Sequence, residues 1–283
     1  MSRLAVFLEM IKFKLTAFAL PFALCGAFLA ANGAPGVATF FWIIVAMAAA
    51  RTSAMAFNRI ADKRFDQENP RTRHRALPSG QVAGVEAWLL TIAAALLFFF
   101  ACWRLNALAL WLAPLALALI WGYSYTKRFT ACCHVILGLC LSISPLGGWV
   151  AVSGSLTNYP WALSLAVLFW VAGFDTIYSC LDRDYDREAG LFSLPSRLGV
   201  GGALRLAAFF HLLAGGCFIL TGWLCKLHWS YYLFLALALA ALWYQHCVVK
   251  ADDLSRMQLA FQTMNSAVSV VIFFAVWLAL TLA

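Results

Sequence analysis

Charge is what this sequence has least of: 11% of its 283 residues are Asp, Glu, Lys or Arg, against 64% hydrophobic. Ordinary soluble domains carry about 25% charged residues, and a mean hydropathy of +0.84 excludes that class here. Acidic residues are the scarcer sign, 12 against 20 basic, so each Asp or Glu that does occur needs a reason. The nine cysteines (Cys25, Cys102, Cys132, Cys133, Cys140, Cys180, Cys217, Cys225 and Cys247) include no C-x-x-C pair and no zinc-type spacing. This argues against a disulfide framework or a thiolate metal site and leaves them as small core residues. The five histidines, His74, His134, His211, His228 and His246, show no ligand spacing, and no Ser-His-Asp arrangement can be read from them. The sequence therefore gives them no catalytic role.

What the chain does have is apolar runs of membrane length. About 20 such residues cross a bilayer as a helix. Charged or turn-rich breaks divide the sequence into nine, over residues 12–32, 37–58, 85–103, 106–123, 132–152, 158–180, 202–222, 228–248 and 262–282. The expected fold class is an all-α membrane protein of nine transmembrane helices. The first run opens with Glu9, Lys12 and Lys14 and lacks a small-residue cleavage site before the second, so it reads as a retained span rather than a removed signal peptide. A net charge of +8 would suggest nucleic acid in a soluble protein, but here its distribution sets orientation and no nucleic-acid partner is expected. With a cytoplasmic N-terminus, 17 of the 20 Lys and Arg fall on cytoplasmic segments, leaving Arg104 and Lys226 outside and Arg51 within the second span. The expected location is a cell (inner) membrane, multi-pass, with the long polar loops 58–84 and 181–201 and the active site facing the cytoplasm.

Two acidic clusters lie 120 residues apart at the ends of apolar stretches, Asn58-x-x-x-Asp62-x-x-x-Asp66 and Tyr178-x-x-x-Asp182-x-x-x-Asp186. Residues four apart share a helix face, so each cluster presents two carboxylates one turn apart. Two such pairs facing one pocket repel unless cations sit between them. Mg²⁺ suits hard oxygen ligands shared with a substrate phosphate. Nearby Arg71-Thr72-Arg73-His74-Arg75 and Tyr123-x-Tyr125-x-Lys127-Arg128 supply phosphate partners, although the same residues also serve the positive-inside bias. A salt-bridge network at a solvated helix end accounts for one cluster; two at equal spacing on one side weigh against it. Leu77-Pro78-Ser79 returns as Leu194-Pro195-Ser196 at an offset of 117, which suggests an internal repeat of 12–123 and 132–248 plus a ninth helix, all in one domain over 1–283. Arg51 and Asp175 lie deeper, two turns before Asn58 and Asp182. Either they pair with each other as a buried ion pair, or they line one cavity where Arg51 meets an anionic acceptor such as an aromatic carboxylate.

Taken together these residues resemble the UbiA superfamily of intramembrane prenyltransferases along nearly the whole chain. The resemblance is carried by Phe18-Ala19-Leu20-Pro21-Phe22-Ala23, by Asn58-Arg59-x-x-Asp62-x-x-x-Asp66 with Arg71-Thr72-Arg73 and Leu77-Pro78-Ser79-Gly80, by Tyr123-x-Tyr125-Thr126-Lys127-Arg128, and by Asp175-x-x-Tyr178-x-x-x-Asp182-x-x-x-Asp186. It implies nine helices around a central cavity, a cytoplasmic cap over the polar site and a side opening to lipid. It also implies Mg²⁺ on Asp62, Asp66, Asp182 and Asp186, with Asn58 supporting the first pair. Arg71, Arg75, Lys127 and Arg128 would contact the diphosphate, Tyr123 and Tyr178 belong to the same substrate-binding motifs, and Arg51 falls where some members contact the aromatic acceptor. Two departures are Ala76, where many members have Pro, and Leu15-Thr16-Ala17, in place of a more polar stretch.

Residues Gly190 to Arg197 look like the 4-hydroxybenzoate polyprenyltransferase group, and more narrowly the branch associated with the futalosine route to menaquinone. The expected function is then Mg²⁺-dependent transfer of a polyprenyl group from polyprenyl diphosphate to an aromatic acid such as 4-hydroxybenzoate in quinone biosynthesis. Asp175 is the candidate base for the ring proton. The alternatives are the same chemistry on a naphthoate or tetrapyrrole acceptor, a membrane transporter, and a non-catalytic scaffold.

Overall fold

The computed structural model describes residues 2–12, 16–257 and 259–283; Lys14 and Leu15, named above, lie outside them. The described elements are helical throughout: α1 (Arg3–Met10), α2 (Thr16–Ala31), α3 (Val37–Ala61), α4 (Lys63–Glu68), α5 (Gly84–Leu105), α6 (Ala107–Thr126), α7 (Cys133–Ser153), α8 (Trp161–Ser179), α9 (Arg183–Glu188), α10 (Leu194–Leu224), α11 (Ser230–Val248) and α12 (Asn265–Thr281). Among the described residues eight helices are long and apolar enough to span a membrane, and α2 is a shorter ninth apolar helix. The chain is a multi-pass membrane protein.

Neighbours in sequence pack side by side around the bundle, and α12 returns to pack on α2, which closes it. α2 also packs on α7, so it is covered by both halves of the chain. Between helices in lipid the hydrophobic effect contributes little, and close backbone approach does the work. Two glycines permit it here. A Cβ on Gly26 would fall 1.9 Å from the Pro145 carbonyl oxygen, and one on Gly148 would fall 1.8 Å from that of Ala23. Phe22, fully buried on α2, meets Trp170 of α8 at 5.1 Å and Phe218 of α10 at 6.0 Å between ring centroids. The outer surface of the bundle keeps Trp103, Trp111, Trp223 and Trp243 exposed, as a lipid-facing shell requires.

The two Leu-Pro-Ser segments adopt different structures. Leu194-Pro195-Ser196 opens α10, because Ser193 caps it by accepting from the Ser196 backbone N–H and Pro195 lies in the first turn. The seventh helix therefore starts eight residues before the expected 202 and turns at Gly199, where φ is 67°. Leu77-Pro78-Ser79 instead lies in a run of turns ending at Gly80, φ 78°. That run packs with α1: Met10 and Ile11 bury against Ala56, Leu77, Val82 and Ala87, and Arg59 Nε donates to the Met10 carbonyl at 3.3 Å. α1 and the 69–83 segment thus form a cover over one end of the bundle.

Candidate active site

The two acidic clusters grow from the same local geometry. α3 ends at Asp62 (φ −93°, ψ 6°) and the 3-10 turn after α8 ends at Asp182 (φ −105°, ψ 4°), and each residue is followed by a six-residue helix, α4 or α9. Asp66 and Asp186 sit in the first turns of these short helices, where a carboxylate is favoured by the helix dipole. The Tyr185 hydroxyl of α9 donates to the Phe65 carbonyl of α4 at 2.8 Å, tying the two short helices together. Between them lies a cavity of about 230 Å³ lined by Asn58, Asp62, Asp66, Arg71, Arg75, Tyr123, Lys127, Arg128, Asp175, Tyr178, Asp182 and Asp186.

Within it each carboxylate is met by a basic group. Arg75 Nη1 donates to both oxygens of Asp66, at 2.7 and 2.9 Å, and the buried Arg59 adds a bond at 3.4 Å. Arg71 forks onto Asp182, its Nε donating to Oδ1 at 2.8 Å and its Nη2 bonding Oδ2, while Nη1 donates to the Tyr178 hydroxyl at 3.0 Å. Asn69 Nδ2 completes Asp182 at 3.1 Å. Lys127 Nζ lies 2.6 Å from Asp186, and Arg128 Nη2 lies 3.8 Å from Asp62, which also accepts from Asn58 Nδ2 at 2.9 Å. Arginine and lysine side chains thus lie against all four carboxylates, and among the described residues no three His, Cys, Asp or Glu converge as a metal cluster.

Electrostatics differ across the site. Burial, aided by the Asp66 charge, pushes Asp62 up to about 6. Burial works against the charge of Arg71, but its bonds to Asp182 prevail and hold it above the ordinary arginine range. Lys127 is likewise raised, burial being outweighed by Asp186. The residues fit a divalent cation in one respect above all. Both Asp186 oxygens are buried, with Lys127 Nζ 2.6 Å from Oδ1 as ion-pair partner, and neither is taken up in a geometrically regular hydrogen bond. That leaves acceptor capacity on a buried carboxylate, and hard oxygen donors of this kind suit Mg²⁺.

Arg51 does not line this cavity, and its buried Nε has no hydrogen-bond partner. Nor does it pair with Asp175, as one expectation had it. Asp175 Oδ2 instead lies 2.6 Å from His134 Nδ1, because α7 packs directly on α8. Sequence reasoning missed His134, Asn69, Arg59 and Tyr185 as members of the site. Arg59 lay inside a quoted motif, whereas His134 and Tyr185 are placed by partners 41 and 120 residues away, which no local spacing announces.

The sequence model of the UbiA prenyltransferase family matches residues 19–281. A 4-hydroxybenzoate octaprenyltransferase from Tolumonas auensis is 32% identical over 254 residues, covering 89% of this chain and 87% of its own. Among solved structures, the apo form of a UbiA homolog from Aeropyrum pernix K1 superposes with a TM-score of 0.86 at 36% identity, over 93% of this chain and 97% of that one. A UbiA homolog from Archaeoglobus fulgidus bound to GPP and Mg²⁺ shares the fold with a TM-score of 0.68 at 17% identity, over 96% of this chain and 99% of its own.

Proposed function

The chain belongs to the UbiA prenyltransferase family and is a prenyltransferase; from that premise we propose that it moves a polyprenyl group from polyprenyl diphosphate to 4-hydroxybenzoate in quinone biosynthesis. The observation that carries this is the pairing of four aspartates at two matching helix ends with Arg71, Arg75 and Lys127 around one cavity. Four carboxylates facing five basic groups, with Arg59 and Arg128 included, leave the site close to neutral. A diphosphate is then admitted only together with cations, or by drawing the arginines off their carboxylates. The acceptor is proposed from the activity of the Tolumonas relative, and the donor and metal class from what the Archaeoglobus homolog binds.

Asp62, Asp66, Asp182 and Asp186 would hold Mg²⁺, with Asn58 orienting Asp62. When bound, Mg²⁺ supplies positive charge against the departing diphosphate. Arg71 and Arg75 turn their forks from carboxylate to phosphate oxygens, and Lys127 and Arg128 add point charge on the opposite wall. Breaking the C–O bond leaves an allylic cation, which Tyr123 and Tyr178 border on the cavity side; the surrounding helices keep water from it while the electron-rich ring attacks. Asp175 is the base for the ring proton. Arg51, outside the cavity lining, would meet the acceptor carboxylate only after rearrangement. The membrane is the cell (inner) membrane, with N-terminus and site cytoplasmic by the charge bias of the loops, and the matched ends at Asp62 and Asp182 support an internal repeat.

Purified protein with farnesyl diphosphate, Mg²⁺ and a panel of aromatic acids tests this, with diphosphate release and product mass as readouts. Product with 4-hydroxybenzoate, lost on EDTA addition, is the expected result. Product only with a naphthoate or tetrapyrrole overturns the acceptor; no release from folded protein with any acceptor overturns the diphosphate site.

A further inference from the structure

His134 and Asp175 form a pair at the inner wall of the cavity. They come from α7 and α8, they are 2.6 Å apart, and their side chains are 3% and 19% exposed, so the carboxylate alone has appreciable access to the space between the helices. The hydrogen-bond network fixes the state of the imidazole. The Leu194 backbone N–H, at the start of α10, donates to His134 Nε2 at 3.3 Å. Ser179 Oγ, 3.5 Å from Nε2, already donates to the Thr176 carbonyl at 2.9 Å. Nε2 is thus an acceptor, and Nδ1 carries the ring proton that it donates to Asp175 Oδ2. Among the described residues no hydrogen bond reaches the other oxygen, Oδ1.

We propose that His134 is the positioning residue for Asp175, holding its Oδ2 so that Oδ1 takes the proton from the ring carbon that has just been prenylated. This rests on the prenyltransfer reading above. Asp175 is seven residues before Asp182, about 10 Å deeper along the helix. A diphosphate anchored at the helix ends places its first carbon, and the ring attacking it, at that depth. Once the new C–C bond has formed and diphosphate has left, the C–H bond at that ring carbon breaks. Its electron pair restores aromaticity and its proton passes to Oδ1, to be lost to water with product; no other reactant is consumed. A carboxylate this deep in an apolar bundle is costly. An aligned N–H from a histidine whose Nε2 accepts from the Leu194 backbone N–H holds it aimed.

The test is a kinetic isotope effect with acceptor deuterated at the reacting ring positions. In the wild type, proton loss follows slower C–O cleavage and the isotope effect is near unity. Asp175→Asn lowers turnover about 10²- to 10⁴-fold, the size of a general-base contribution, and proton loss becomes slow enough to raise the isotope effect. His134→Leu lowers turnover about tenfold, as loss of one charge-assisted hydrogen bond does, raises the isotope effect and leaves the KM for the diphosphate unchanged. His134→Asn, whose amide N–H replaces Nδ1–H, restores both. Isotope effects held at unity in Asp175→Asn and His134→Leu, or wild-type turnover in both, overturn the assignment alone. Wild-type protein that prenylates no aromatic acceptor overturns the functional reading and this one with it.

Discussion

Replacing Arg71 with Ala separates two roles that the geometry gives it. In the structure Arg71 is a strut, bonded to both oxygens of Asp182 and to the Tyr178 hydroxyl, with its guanidinium 5.4 Å from the Tyr178 ring centroid. Its side chain is 32% exposed and that of Asp182 12%, so the pair lies between the surface and buried classes. The stability cost of breaking it is then about 1–2 kcal/mol, well below the 3–5 kcal/mol of a fully buried pair, since Asn69 still serves Asp182. That lowers the melting temperature by only a few degrees in a chain of this size. In the proposed reaction Arg71 is a donor fork where charge gathers on the leaving diphosphate, and losing one such preorganised donor costs about 10²- to 10³-fold in kcat. The catalytic effect therefore dominates, and Arg71→Ala should be folded but severely slowed. Arg71→Lys should recover part of the loss, because it keeps the charge without the fork. Continuous diphosphate release in detergent, alongside a thermal melt, measures both quantities. A lowered melting temperature with undiminished release would refute the reasoning and leave Arg71 as a strut.

Asp62→Ala and Asp182→Ala should each abolish turnover while circular dichroism stays helical; near-normal activity in both rules out the metal assignment. Because burial raises Asp62 to about 6, the folded state holds its proton over an interval where the unfolded chain, near 3.8, has lost it. The sign follows: the Asp62 contribution to stability falls as pH climbs from 3.8 to about 6 and is level above that, whereas Mg²⁺ affinity, which needs the carboxylate ionised, weakens as pH drops below about 6. Titration calorimetry with Mg²⁺ at pH 5 and pH 7 checks this, and equal affinities would contradict it. Gly148→Val should destabilise by about 3 kcal/mol or more, since its Cβ would meet backbone 1.8 Å away that cannot move aside; an unchanged melt would show that α2 and α7 do not approach so closely in the membrane.

The helical class was legible because so little interrupts the apolar runs: where charge clusters, as at 58–84 and 181–201, the spans end. The boundaries that moved have local causes. α10 starts early because Ser193 caps it, a signal present in the sequence but hidden inside a polar loop. The site was legible as far as helical spacing reaches. Asn58, Asp62, Tyr178 and Asp182 line one cavity as their four-residue spacing suggests. The partners were not, because which base meets which acid depends on how helices pack. Arg71 reaches across 111 residues to Asp182, and Asp175 turned to His134 rather than to Arg51. Arg51 shares a helix with Asn58, two turns away, and falls outside the lining, whereas Asp175, equally two turns before Asp182, lies within it.

The closure of α12 onto α2 sets a clock for biogenesis. The described part of α2, Thr16–Ala31, runs about 24 Å along its axis. Its covering helix begins at Asn265, so at ordinary synthesis rates of about 5–20 residues per second α2 enters the membrane some 10–50 s before α12 exists. During that time the backbone notch at Gly26, cut to receive α7 and later flanked by α12, faces whatever the insertion machinery offers. A nascent chain stalled before residue 265 should therefore hold its first apolar helix loosely, open to crosslinking from the insertase, and release it only when the last helix arrives.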